Sequence, residues 1–160
     1  MLDFGDAPFP YPTLLADNGP RHRIWTLGHL GPEIDQERDG QPSQAADGDD
    51  LTADDDEDGV AFLTPFTPGQ AAQVRVTSAG AGVLDAWLDF NRDGDWDDAS
   101  ERVFSGQTLS SGPVTLAVSV PMTAVPGPTY ARFRYSQSGV ASYAGPADSG
   151  EVEDYRLTIE

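Results

Sequence analysis

The sequence predicts an all-β protein, an antiparallel β-sandwich of immunoglobulin-like Greek-key or jelly-roll type with a long, loop-rich segment in front of it. Three observations carry this expectation. Apolar residues recur with period two in short runs from Val60 onward. Gly, Pro and Ser clusters separate those runs at turn-like spacing. No stretch shows a helical period, which leaves sheet packed on sheet as the way to bury the apolar faces. The 160 residues suit one domain, divided into a loop-rich acidic segment at 1–58 and a sandwich at 59–160.

Residues 1–58 are dense in Pro, Gly and Asp, a composition that often accompanies disorder. They also carry Phe4, Phe9, Tyr11, Leu14, Leu15, Ile24, Trp25, Leu27 and Leu30. So many large apolar groups imply an ordered segment packed on the sandwich. Acids then crowd together in Asp47-Gly48-Asp49-Asp50 and Asp54 to Asp58, just before the apparent strand Val60-Ala61-Phe62-Leu63. A charge run of this density is either a solvated segment or one side of a cation site. On the second reading Asp49, Asp50, Asp56 and Asp58 are candidate ligands, with Asp3, Asp6 or Asp35 as partners from upstream.

The strands follow in order. Gln73 to Thr77 alternates, Ser78 to Gly82 is a turn, and Val83 to Phe90 alternates through Trp87. Val114, Leu116, Val118 and Val120 mark one face of a strand stopped by Pro121. In Thr129 to Tyr135, Ala131, Phe133 and Tyr135 point inward, while Tyr130, Arg132 and Arg134 take the opposite face. Tyr155, Leu157 and Ile159 form the last strand.

Between two of these strands lies Asp89-Phe90-Asn91-Arg92-Asp93-Gly94-Asp95-Trp96-Asp97-Asp98-Ala99-Ser100-Glu101. Asp89, Asn91 and Asp93 alternate, Gly94 supplies a sharp turn, and further acids follow. Calcium takes six to eight oxygens at about 2.3–2.6 Å, and this spacing aims several at one point. Positions 1, 3, 5 and 6 of an EF-hand loop are matched, and Asp95 is placed to offer its carbonyl. Position 12 is Ser100, however, with the acid one residue later at Glu101, and the flanks are strands. An acidic hairpin turn is the competing reading. Crowded carboxylates repel one another without a cation, which favours metal, with Asp89, Asn91, Asp93, Asp95, Asp98 and Glu101 as candidate ligands.

The charge points the same way. Twenty-seven acids against nine bases, all Arg, give -18. This argues against nucleic acid and anionic membranes as partners, and cations would relieve the self-repulsion. With no Cys, disulfides are excluded and stability falls to core and metal. No apolar run is long enough to span a membrane, and the residues after Met1 are Asp-rich, unlike a signal peptide. Millimolar calcium outside cells would fill modest sites, so we expect an extracellular or cell-surface module of a longer secreted protein, binding two or more calcium ions. Its partners would be neighbouring domains, with a peptide or glycan ligand as a further option.

Several motifs also resemble the GEVED domain family of bacterial extracellular proteins. They are Gly150-Glu151-Val152-Glu153-Asp154-Tyr155, the opening DFGDAP, YPTLLADNG with His22, DGQPS, the GDD and DEDGV pairs, WLDFNRDGDWDD with Glu101, and ARFRYS. The resemblance implies a calcium-associated β-sandwich module of large secreted or surface proteins, adhesin-like ones included. It gives Glu151 and Asp154 a context, either as metal ligands or as partners of Arg132 and Arg134 across adjacent strands. An exposed pair of that kind contributes well under 1 kcal/mol.

Catalysis is not expected. The acids sit in metal-type spacing rather than flanking a cleft, no G-x-S-x-G elbow is present, and His22 and His29 lack a third zinc ligand. His22 reads as a structural hydrogen-bonding group. A calcium-stiffened spacer and a calcium-dependent ligand binder remain as alternatives. For the binder, Trp25, Tyr130 and Tyr143 are the candidate contact residues, while Trp96 is expected to pack over the loop.

Overall fold

The computed structural model describes residues 1–32, 34, 36–48 and 58–160. Within them the chain is all β, as expected. Eleven strands occur in the order β1 (Leu2–Phe4), β2 (Arg21–Arg23), β3 (His29–Leu30), β4 (Val60–Phe62), β5 (Ala71–Ala79), β6 (Gly82–Leu88), β7 (Arg102–Leu109), β8 (Gly112–Ser119), β9 (Gly127–Ser136), β10 (Pro146–Ala147) and β11 (Glu151–Ile159). The only helical element among the described residues is a single 3-10 turn, Leu15–Asp17.

Two sheets form the sandwich. One has the order β11-β9-β6-β7, and the other is built on β5, which pairs with β8 on one side and with β3 and β4 on the other. All of these pairings are antiparallel. Alternation fills the space between the sheets: Ala72, Val74 and Val76 of β5 face Leu84, Ala86 and Leu88 of β6 and Ala131, Phe133 and Tyr135 of β9. Phe66, Phe104, Leu157 and Ile159 close this core. At about 25 cal/mol per Å2 of apolar surface buried, it is the main stabilising element.

Apart from β3, the described residues up to 48 add a third layer. β1, β2 and β10 form a small sheet that is bonded to the outer face of the β11-β9-β6-β7 sheet. The Val152 N–H donates to the Asp3 carboxylate (2.6 Å), the Ala7 N–H to Asp154 (2.7 Å), and His22 meets Arg134 (2.9 Å). β6 and β9 are therefore buried on both faces. This corrects one expectation. The Tyr130, Arg132 and Arg134 face points away from the sandwich core as the alternation requires, but Arg132 and Arg134 are 0% and 1% exposed.

That covered face has its own packing. Ala7, Tyr11, Trp87 and Trp96 form a second apolar cluster, bordered by Tyr130, Val140 and Tyr143. The Arg132 guanidinium stacks on the Trp96 ring at 4.7 Å, and the centre of the Tyr11 ring lies 4.3 Å from that of Trp96. A Cys-free chain with a limited aliphatic inventory thus gains a second core from aromatic rings and a paired cation.

Candidate metal centre

Residues 89–101 connect β6 to β7. The hairpin is closed at its base by Leu88 N–H donating to the Glu101 carbonyl (2.8 Å), and Asp89 N–H donates to Tyr130 of the neighbouring β9 (3.1 Å). The loop's Asx spacing then folds it back on itself. Arg92 and Gly94 N–H groups donate to Asp89, Asp93 N–H to Asn91, and Asp95 N–H to Asp93. Gly94 carries φ +93°, and a Cβ there would come within 2.5 Å of Pro10, so this position needs glycine for both conformation and space.

The folding converges oxygens. Carboxylate oxygens of Asp89, Asp93 and Glu101 lie within 4.8 Å of one another. Asp89 and Glu101 are 0% and 1% exposed, while Asp93 is exposed. Glu101 accepts from Phe90 N–H (3.0 Å) and Asp98 N–H (3.3 Å). Its pKa is nonetheless raised to about 7, first by burial and then by the charge of Asp89. Asp89 also accepts from the Tyr11 hydroxyl (2.6 Å); burial and this carboxylate push the Tyr11 phenol up. The loop's own guanidinium is bonded elsewhere: Arg92 donates to the carbonyls of Pro128 (2.9 Å) and Pro126 (2.8 Å). Two buried carboxylates and a third at the rim therefore share one point, and among the described residues no ion pair joins them. Three carboxylates suit a hard, oxygen-seeking divalent cation.

The other loop candidates sit around this trio. Asn91 is exposed and its amide donates to Asp93 (2.8 Å) and Asp98 (2.7 Å). Asp98 is exposed and Asp95 half-buried, with the Asp95 carboxylate accepting from Asp97 N–H (2.9 Å). Trp96 is 2% exposed and belongs to the second core, as expected.

Candidates outside the loop are placed elsewhere. Asp49, Asp50 and Asp56 lie outside the described residues. Asp58 is exposed at the entry to β4, beside Gly31. Glu151 and Asp154 are at the start of β11, and the alternation holds from its first residue. Glu151 accepts from Leu30 N–H (2.5 Å), and Glu153 accepts from Gly59 N–H (2.9 Å). On the other face Asp154 lies opposite Arg132 and receives both its Nε and Nη2 at 2.7 Å, with both side chains fully buried. The structure thus makes Asp154 the ion-pair partner of Arg132, apart from the loop trio. Burial makes the pair far more consequential than the exposed one expected from the sequence.

These bonds explain the motif. Gly150 carries φ +100°, and a Cβ would come within 1.8 Å of the Tyr135 carbonyl oxygen. Glu151, Glu153 and Asp154 each accept a backbone N–H from the first 59 residues, at Leu30, Gly59 and Ala7 respectively. The motif is a clasp on both sides of the last strand: Asp154 holds the N-terminal layer at Ala7, and Glu151 and Glu153 hold the β5 sheet at Leu30 of β3 and at Gly59 before β4.

Arginines fasten the segment after β9 in the same way. Arg134 donates to the carbonyls of Ser142 (2.7 Å), Ala144 (2.9 Å) and Gly145 (2.9 Å), Arg132 to Tyr143 (3.1 Å), and Arg102 to Val140 (2.9 Å). Burial, with Arg132 nearby, lowers Arg134 to about 9. His22 is held by Ser149 and Arg134 (2.8 and 2.9 Å). Since Arg134 donates to Nε2, Nδ1 carries the proton. Burial first, and then Arg134, keeps this ring's pKa well below the usual histidine value. His22 is a structural hydrogen-bonding group, as expected.

Of the aromatic candidates, Trp25, Tyr130 and Tyr143 are all half-buried. Tyr130 donates to the Gln44 carbonyl (2.7 Å) and Tyr143 to Asp97 (2.8 Å). Sequence reasoning missed Asp85, which is 1% exposed and accepts from Arg102 (2.7 Å), Gly106 N–H and Val140 N–H (both 2.8 Å). Its signal was a carboxylate inside the apolar run Val83 to Leu88. Tyr11 was also missed as a partner of Asp89; nothing local links positions 78 apart.

No curated protein matches the chain. Residues 83–158 match the family described as the GEVED domain, from β6 through nearly all of β11. The match takes in the acidic loop, the Arg132 and Arg134 strand and the Gly150–Asp154 clasp, so residues 83–158 are the part of the chain that is similar to the GEVED domain family.

Proposed function

We propose that the protein is a calcium-binding structural module of a larger, secreted or surface-attached bacterial protein of adhesin type. The observation that carries this reading is the trio of Asp89, Asp93 and Glu101, with oxygens within 4.8 Å of one another and the adjacent Arg92 bonded elsewhere. A divalent cation there neutralises charge that no side chain of the loop neutralises. It also has a mechanical consequence. The β6–β7 loop holds Tyr11 through Asp89 and Pro10 through Gly94, so stiffening the loop stiffens the N-terminal layer as well. The extracellular setting follows from calcium concentration, since modest sites fill at millimolar levels. Neighbouring domains of the parent chain are the partners, and the reading assigns no catalytic role.

A thermal melt in excess EDTA, then in millimolar calcium, with magnesium as control, tests it. Occupancy at a hundred times Kd adds about 2.7 kcal/mol per site. A calcium-selective rise of the midpoint is the expected result. Identical midpoints in all three conditions would show that the loop is an acidic turn.

A further inference from the structure

We infer that the cleft between the Pro8–Tyr11 turn and the β6–β7 loop binds a neutral saccharide, with Phe9 as the ring on which the sugar stacks. Phe9 is 89% exposed, more than any other large apolar residue described. It is not on a loose tail. Tyr11 N–H closes the turn on the Pro8 carbonyl (3.0 Å), Pro10 packs on Gly94, and the Tyr11 hydroxyl is bonded to the buried Asp89. A rigid turn flanked by two prolines thus presents an aromatic face to solvent. The backbone that carries the ring is already ordered, which lowers the cost of binding.

The cleft beside it measures about 310 Å3, at the small end of ligand pockets. Besides Phe9, its walls include Pro10, Gln44, Arg92, Asp93 and Tyr130. Arg92 is held by the Pro126 and Pro128 carbonyls, so its guanidinium is fixed at the rim. The Asp93 carboxylate and Gln44 are exposed there too. A pyranose has an apolar face for an aromatic ring and hydroxyls that both donate and accept hydrogen bonds. Carboxylate, amide and guanidinium on one rim answer both needs. The net charge of -18 repels acidic sugars and other anions, and a volume of about 310 Å3 suits a small cyclic ligand better than an extended peptide. The inference goes beyond the cation reading and requires no ion.

The test is binding of the whole 160-residue protein to an array of neutral oligosaccharides of glucose, galactose, mannose and N-acetylglucosamine, run in calcium and in EDTA beside an array of basic and proline-rich peptides. Hits are then titrated calorimetrically. We expect binding to at least one neutral glycan, weakened tenfold or more by Phe9→Ala at unchanged melting temperature and kept by Phe9→Tyr. Leu27→Ala, which removes a different exposed side chain (75%), leaves binding unchanged. Silence on the glycans in both buffers, binding to peptides alone, or undiminished binding by Phe9→Ala would each overturn the proposal. Glycan binding without any calcium-dependent shift in melting would overturn the cation reading and leave this one standing.

Discussion

The protein buries carboxylates in two ways. On the outer face of the β11-β9-β6-β7 sheet, Asp154 is answered by Arg132 and Asp85 by Arg102, at 2.7 Å in each case. At the β6–β7 loop, Asp89 and Glu101 are equally buried, but the donors that reach them are backbone N–H groups and the Tyr11 hydroxyl. The difference teaches what each region depends on. The outer face carries its own counter-charge and should be indifferent to ions. The loop concentrates negative charge in a desolvated place, as the upward shift of Glu101 records, and so should respond to a cation.

The largest expected effect tests the self-sufficient side. Arg132→Leu leaves Asp154 buried without its partner, and Arg132 also holds the carbonyls of Pro12 and Tyr143. Removing one member of such a pair costs about 3–5 kcal/mol. Chemical denaturation should show this loss in EDTA and in calcium alike; a loss that calcium repairs would erase the distinction between the two regions.

Next in size is the loop. Glu101→Gln and Asp89→Asn each remove a buried negative charge, so the calcium-dependent stabilisation of about 2.7 kcal/mol should shrink or vanish. Melts of both variants with and without calcium decide this, and an undiminished calcium shift would place the cation elsewhere.

His22 sharpens the picture of the outer face. Its pKa in the folded protein lies well below the ordinary value, so the unfolded chain takes up a proton that the folded one refuses. Stability from the neutral ring is complete above about pH 6.5 and is lost as pH falls below it, by up to about 1.4 kcal/mol per pH unit. The difference between wild type and His22→Gln across pH 7 to 5 isolates this effect from other titrating groups. Parallel curves would refute it.

The smallest effect is also selective. Asp93 is exposed and its carboxylate has no buried partner to desert. Asp93→Ala should leave the midpoint unchanged in EDTA, because surface substitutions are close to neutral, yet weaken calcium binding in a titration. A destabilisation of equal size in both buffers would make Asp93 a turn residue only.

Most of the sandwich was legible in the sequence, because period-two alternation is a local property of a strand with one buried face. Ala131, Phe133 and Tyr135 fall inward, with Arg132 and Arg134 opposite, for that reason alone. The acidic loop was legible as well, since Asx spacing around Gly94 is a short-range signal. The burial of the opposite face was not. Whether Arg132 meets water or Asp154, Trp96 and Pro12 depends on a segment more than a hundred positions away folding over it. Likewise, the sequence presents Glu151, Glu153 and Asp154 as three acids in four residues, with either a metal or an arginine as plausible company. The N–H groups of Leu30, Gly59 and Ala7 that receive them come from distant turns, and only the tertiary structure brings those to β11. Composition and periodicity thus determined the strand faces and the Asx spacing of the acidic loop. Long-range closure decided which charges are buried, and with what partners, because burial belongs to the whole packed chain and not to any window of it.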